Sequence, residues 1–151
     1  MSWLVIGIGN TLRRDDGLGP WLAERVADWR LPNVTTRIVH QLTPELAVEI
    51  ANHDSVLFLD ASRSSDEFEL AELNGSAGPT QFGHALSPAH LLAWAEVLDG
   101  KQRRAWIAAV PGIDFDFGEG LSLAAERAGE RALADIESLL RESIPCTKSD
   151  S

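Results

Sequence analysis

Four residues near the N-terminus, Trp3-Leu-Val-Ile6, make a short apolar run of β-favouring side chains, and Gly7 and Gly9 end it abruptly. A run this short with no polar face reads as a strand buried on both sides. Directly downstream, Leu18, Trp21, Leu22, Val26 and Trp29 recur at helical spacing, with Gly17 and Gly19 at the entry, where a turn calls for permissive backbone. Strand, loop and helix therefore follow one another within thirty residues, and the joint carries two adjacent acids, Asp15 and Asp16.

The same alternation continues. Val34 to Val39 alternates as a strand. Thr43-Pro44 supplies an N-cap and a proline at the first helical position for a helix reaching Ile50, and Ser55-Val-Leu-Phe-Leu-Asp60 is a second fully apolar strand run. A βαβαβ order with short connections predicts a mostly parallel, twisted sheet covered by helices on both faces. Phe68-Glu-Leu-Ala-Glu-Leu73 predicts an additional exposed strand, followed by a Gly/Ser/Pro-rich loop over 74–83. Ser87-Pro88 opens another helix through Leu91, Leu92, Trp94, Ala95 and Leu98. Arg104 to Val110 is the last strand, Pro111-Gly112 breaks it, an acidic aromatic loop from Asp114 to Glu119 crosses the strand end, and Leu121 to Leu140 predicts a long amphipathic helix. The five tryptophans, Trp3, Trp21, Trp29, Trp94 and Trp106, fall on strand or helix positions expected to pack. The expected fold is a single three-layer α/β/α domain over 1–142, with a disordered tail over 143–151.

Composition narrows the partners. At 151 residues and 44% hydrophobic content the chain can bury one sizeable core without staples. Its single cysteine, Cys146, lies in the tail, which excludes a disulfide framework or a cysteine metal cluster and fits a reducing cytoplasm. Neither a signal peptide nor an apolar run approaching the roughly 18 residues of a membrane span is visible. The formal net charge of −10 opposes nucleic acid and anionic membrane surfaces. A monomer is the default for an acidic single domain.

A dinucleotide fingerprint is the obvious rival at the first joint. After Gly7 and Gly9, however, the third glycine of G-x-G-x-x-G is replaced by Leu12, and the second strand ends in His40 where a ribose-binding acid belongs. A phosphate loop is disfavoured too, because no Gly-Lys-Ser/Thr follows and Asp15-Asp16 would repel a phosphate. Carboxylates there suit a cation. In an open parallel sheet the strand carboxyl ends share one rim. Asp16 follows strand one, Asp60 ends strand three, and His84 lies in the loop before a helix, so two oxygens and a nitrogen can converge. That inventory suits a divalent ion such as Zn, Ni or Mn with positions left open. It equally suits a general-base pair with an orienting histidine, although no nucleophile accompanies it; Ser62 near Asp60 reads as a turn cap. Each residue has a plainer reading. Asp15 or Asp16 can cap the helix from Gly17, His84 can be a solvated loop residue, and His90 a helix-surface one. His40 shares the rim and can be a fourth member, whereas His53 sits on the opposite edge. Asp60 is harder to explain away, since a buried strand seldom ends in an acid without a partner.

Gly7-x-Gly9-Asn10-x-Leu12-x-x-Asp15-Asp16-Gly17-x-Gly19 resembles the N-terminal signature of the [NiFe]-hydrogenase maturation proteases, peptidase family M52, which remove a C-terminal extension from the nickel-loaded large subunit. Further similar segments are the strand ending in Asp60, His84 with Leu86, Leu91 and Leu92, Val110-Pro-Gly, and Gly118-x-Gly-Leu-Ser122, so the likeness runs to about Leu140. The resemblance implies a phosphorylase/hydrolase-like α/β fold. It also implies that Asp16, Asp60 and His84 are the catalytic and metal-reading set, with His90 and His40 as alternative ligands. Gly7, Gly9, Asn10, Asp15 and Gln41 would form the substrate loop. His40-Gln41-Leu-Thr-Pro stands where several relatives carry an Asp-Gly-Gly-Thr turn. The cofactor implied is nickel carried by the substrate, a site that Zn or Cd can also occupy, and the partner implied is the large-subunit precursor. A metal-sensing chaperone without cleavage, or a metal-dependent hydrolase of a small substrate, would use the same crevice.

Overall fold

A computed structural model describes residues 1–64, 66–73 and 86–142. The loop over 74–83, His84, and the tail over 143–151 with Cys146 lie outside the described residues. The elements are β1 (Trp3–Ile8), a 3-10 turn (Arg14–Gly17), α1 (Leu18–Asp28), β2 (Val34–Val39), α2 (Leu46–Ala51), β3 (Ser55–Ser62), β4 (Glu69–Leu73), α3 (Pro88–Asp99), β5 (Arg104–Pro111) and α4 (Leu123–Glu142).

The strands form one sheet in the order β2-β1-β3-β5-β4. β2, β1, β3 and β5 are parallel, with Trp3 opposite both Val34 and Ser55, and Ser55 opposite Arg104. β4 closes the edge antiparallel to β5, placing Glu69 opposite Ala109. Residues alternate between the two faces. Trp3, Val5, Leu57, Leu59, Ala108 and Val110 join α1 and α4 in one core, and Leu4, Ile6, Val56, Phe58 and Ala105 join α2 and α3 in the other. Both faces of the central strands are covered, which is why they read as unbroken apolar runs rather than alternating ones.

Several expectations change. The helix expected from Thr43-Pro44 begins at Leu46, because Pro44 opens a tight turn in which the amides of Leu46, Ala47 and Val48 donate to the carbonyls of Thr43, Pro44 and Glu45. Helix α4 starts at Leu123 rather than Leu121, with Ser122 ahead of it accepting through Oγ from the Ala125 amide. Trp94 is 40% exposed and does not pack in the core, since α3 buries Leu91, Leu92 and Ala95 and turns Trp94, Val97 and Leu98 outward. By contrast Ser87 and Pro88 open α3 as expected, and Gly100 ends it in the left-handed conformation, φ 74°.

Gly19 does not serve a turn. A Cβ there would collide with the backbone of Ile8 and lie 2.6 Å from the Leu59 carbonyl oxygen, and one on Gly7 would collide with the Gly19 carbonyl. The two glycines let α1 lie directly on β1, the packing that the third glycine of a dinucleotide fingerprint gives elsewhere. Gly17, with φ −80°, is the residue ahead of α1 and needs no special conformation.

Candidate active site

From β1 the chain moves outward to β2 and then crosses back to β3 on the other side of β1, so the strand order reverses between β1 and β3. At such a reversal the connections diverge and leave a crevice beyond the strand carboxyl ends. Asp16 and Asp60 flank this one. Gly9 takes φ 155° where a side chain would run into the Asp16 carbonyl oxygen, so the loop folds back tightly on itself. Its amide donates to the Val39 carbonyl at 3.0 Å. Asn10 then donates its amide to Asp16 Oδ2 at 2.8 Å and accepts the Leu12 amide through Oδ1 at 2.9 Å. Asp16 is thereby oriented from its own loop, and neither it nor Asp15 caps α1 through its side chain.

Asp60 shares the sheet face of Phe58, two residues earlier on β3. Burial pushes its pKa up to about 6; the Ala61 amide, donating to Oδ1 at 2.8 Å, opposes the rise, the Asp16 charge adds to it, and Arg63 opposes it. Two carboxylates that feel each other at a half-buried rim can pass a proton near neutrality or bind a divalent cation through oxygen.

A cavity of about 320 Å³ opens beside Asp60, lined also by Ile8, His40, Gln41, Ser87 and Ile107. His40 and Gln41 are thus on the rim with Asp60, and both are exposed. His90 serves α3 instead. Its amide donates to Ser87 Oγ at 3.3 Å, its Nδ1 accepts the Ser87 amide at 3.2 Å, and its ring stacks on Trp94 with centroids 6.0 Å apart. Among the described residues no three His, Cys, Asp or Glu side chains are grouped to hold a metal ion, so the third member of the expected set rests on His84, outside them.

Asp15 has a role that its neighbours in sequence do not reveal. It is fully buried, and its carboxylate accepts the amides of Ile113 and Asp114 at 2.9 and 3.0 Å and the amide and Oγ of Ser122, both at 2.7 Å. Burial raises its pKa, but these four donors outweigh it and the net effect is a lowered value. The Asp15 amide also donates to the Asp114 carbonyl at 2.9 Å, and Arg13 bridges to Gly118. Asp15 therefore fastens the β5–α4 loop to the loop that carries Asp16, and Arg14 between these contacts is held at φ 45°, a costly conformation for a non-glycine residue. Nothing close in sequence signals this.

No family model matches the chain, and no curated protein matches it in sequence. Solved structures do match. A hydrogenase maturating endopeptidase HybD from E. coli superposes with a TM-score of 0.71 at 22% identity, covering 95% of this chain and 94% of its own. The fold is that of a hydrogenase maturation protease. The [NiFe] hydrogenase maturation protease HycI from Thermococcus kodakarensis KOD1 gives 0.70 at 22% identity over 93% and 92% of the two chains, and an endopeptidase from Escherichia coli gives 0.72 at 26% over 99% and 100%. Each match spans nearly the whole length of both chains.

Proposed function

We propose that this chain is an endopeptidase that removes the C-terminal extension of a [NiFe]-hydrogenase large-subunit precursor, and that Asp16, Asp60 and His84 read the nickel the precursor carries. Two observations support the reading: the fold shared with the maturation proteases, and the acid pair across the β1/β3 reversal whose second member keeps its proton to about pH 6. The pair carries most of the weight. Burial and the Asp16 charge make a second negative charge at Asp60 costly, and a precursor bearing a divalent ion offsets that cost, whereas an unloaded precursor does not. Specificity for the loaded form is then a difference of affinities between two otherwise identical partners. Asp60, with a proton affinity near neutrality, is also suited to take a proton from a water attacking the scissile carbonyl.

Incubating the protein with nickel-loaded and nickel-free precursor and following the size shift on a gel tests the proposal. Cleavage of the loaded form alone is the expected result. Tight binding without cleavage would instead make the chain a metal-sensing chaperone, and indifference to both forms would leave a hydrolase of a small substrate.

A further inference from the structure

On the sheet face opposite the Asp60 cavity, a second cavity of about 530 Å³ lies between the end of β3, the β5–α4 loop and α4. Two arginines face it, Arg63 just beyond β3 and Arg131 on α4. Phe115, Ile113 and Ala128 contribute apolar surface to it, and Asp66 lines it as well. In a chain with 23 acidic and 13 basic residues, arginines are readily paired, and six of them form ion pairs with carboxylates. Arg63 and Arg131 are among the five that form none among the described residues, although Asp66 lines the same cavity.

Arg63 is nonetheless held in place. Its guanidinium lies 4.0 Å above the centroid of the Phe115 ring, and that ring is seated against Gly112, where a Cβ would come within 2.9 Å of it. A guanidinium held over an aromatic face keeps N–H donors free to grip a carboxylate with two hydrogen bonds. A pocket that sets two guanidiniums without ion-pair partners beside apolar side chains fits a carboxylate joined to an apolar side chain, which is the chemistry of a peptide's free C-terminus.

The geometry points to this cavity as the subsite that takes the terminal carboxylate of the substrate's C-terminal extension. The assignment rests on the endopeptidase reading above, in which the piece removed ends in such a group. It places the two ends of one extended segment on opposite faces of the same sheet rim, with the bond to be cut beside Asp16 and Asp60 and the terminus beyond Pro111. Arg63, which lines this cavity, also lowers the proton affinity of Asp60, so the two sites are coupled through its charge.

The test measures binding directly. N-acetyl-Leu-Leu with a free carboxylate, its C-terminal amide, and N-acetyl-Leu-Glu-amide, whose only carboxylate is a side chain, are titrated to about 10 mM into isotopically labelled protein while amide NMR signals are followed. The free acid is expected to shift Ile113 and Ala128, the amide to bind about tenfold more weakly, and Arg63→Gln and Arg131→Gln each to cost about tenfold. Arg131 is exposed on a helix, so Arg131→Gln should leave Tm nearly unchanged and its effect is not one of folding. Equal binding of acid and amide, or no shifts at all, overturns the subsite. Binding of the Glu-amide as tight as that of the free acid overturns the terminus and assigns the carboxylate to an acidic side chain. Peptide binding without processing of any precursor would refute the endopeptidase and leave the anion cavity standing; processing without peptide binding does the reverse.

Discussion

Asp16 and Asp60 are neighbours in charge but differ in what holds them. Asp16 takes a single backbone donor from Asn10 at a half-buried position, and no described core contact depends on its charge. Asp16→Asn should therefore abolish precursor processing while shifting stability by less than about 1 kcal/mol, and retained processing on the gel would remove Asp16 from the site. Asp60 behaves oppositely because its pKa rises on folding, from 3.8 to about 6. The folded state then binds the proton more tightly than the unfolded chain, so stability is highest below the unfolded value and falls as pH rises through the window from about 4 to 6. A rise of that size corresponds to about 3 kcal/mol at neutral pH. Asp60→Asn should remove this penalty, leaving the variant's advantage over wild type small at pH 4 and growing to about 3 kcal/mol by pH 7, while processing is lost. Denaturant titrations of both proteins across that range check it, and parallel stability profiles would refute the shift. Asp60 was legible because an acid directly after Val-Leu-Phe-Leu has few structural excuses; Asp15 was not, because its carboxylate is satisfied by residues 98 to 107 positions away, a separation no local pattern reports.

Strand β1 and helix α1 approach most closely where Gly7 and Gly19 meet, and this contact sets how closely the Asp16 loop approaches the sheet. At Gly19 all three nearest obstacles to a Cβ are backbone atoms of Ile8 and Leu59, which cannot rotate away. Gly19→Ala should therefore cost about 3 kcal/mol or more and displace the loop, lowering both Tm and processing. Gly100→Ala is the matched control. Nothing lies within 4 Å of a Cβ there, and only the left-handed φ of 74° is penalised, so the cost should stay near 1 kcal/mol with processing intact. Equal losses at the two positions would refute the close-contact role. The strand runs and the Ser87-Pro88 entry could be read from sequence because propensity and burial agree there. The first turn after Thr43 could not, since Pro44 fixes φ equally well for a helix start and for a tight turn. Trp94 was misplaced for a related reason: its spacing fits the apolar stripe of α3, but the helix is apolar around much of its circumference and periodicity cannot say which side meets the sheet.

A chain of net charge −10 that sets two carboxylates side by side at the rim of its sheet accumulates repulsion that no described salt bridge relieves at Asp16 or Asp60. Among the described residues no helix is long and apolar enough to cross a membrane. A divalent cation is the natural counterweight. Linkage makes the consequence measurable on the whole molecule, because an ion that binds only the folded state stabilises it by about 2.7 kcal/mol at a hundred times its Kd. For a domain of this length that is a rise of roughly 5–10 °C in Tm. Nickel or zinc should produce such a rise at pH 7.5, with the free ion standing in for the one carried by the precursor. The rise should largely vanish at pH 5, where Asp60 keeps its proton and the ion must displace it. Asp16→Asn and Asp60→Asn should each abolish it at either pH. If the metal-induced rise persisted unchanged in Asp60→Asn, the ions would be binding elsewhere on the acidic surface, and the acid pair would lose its claim to read a metal.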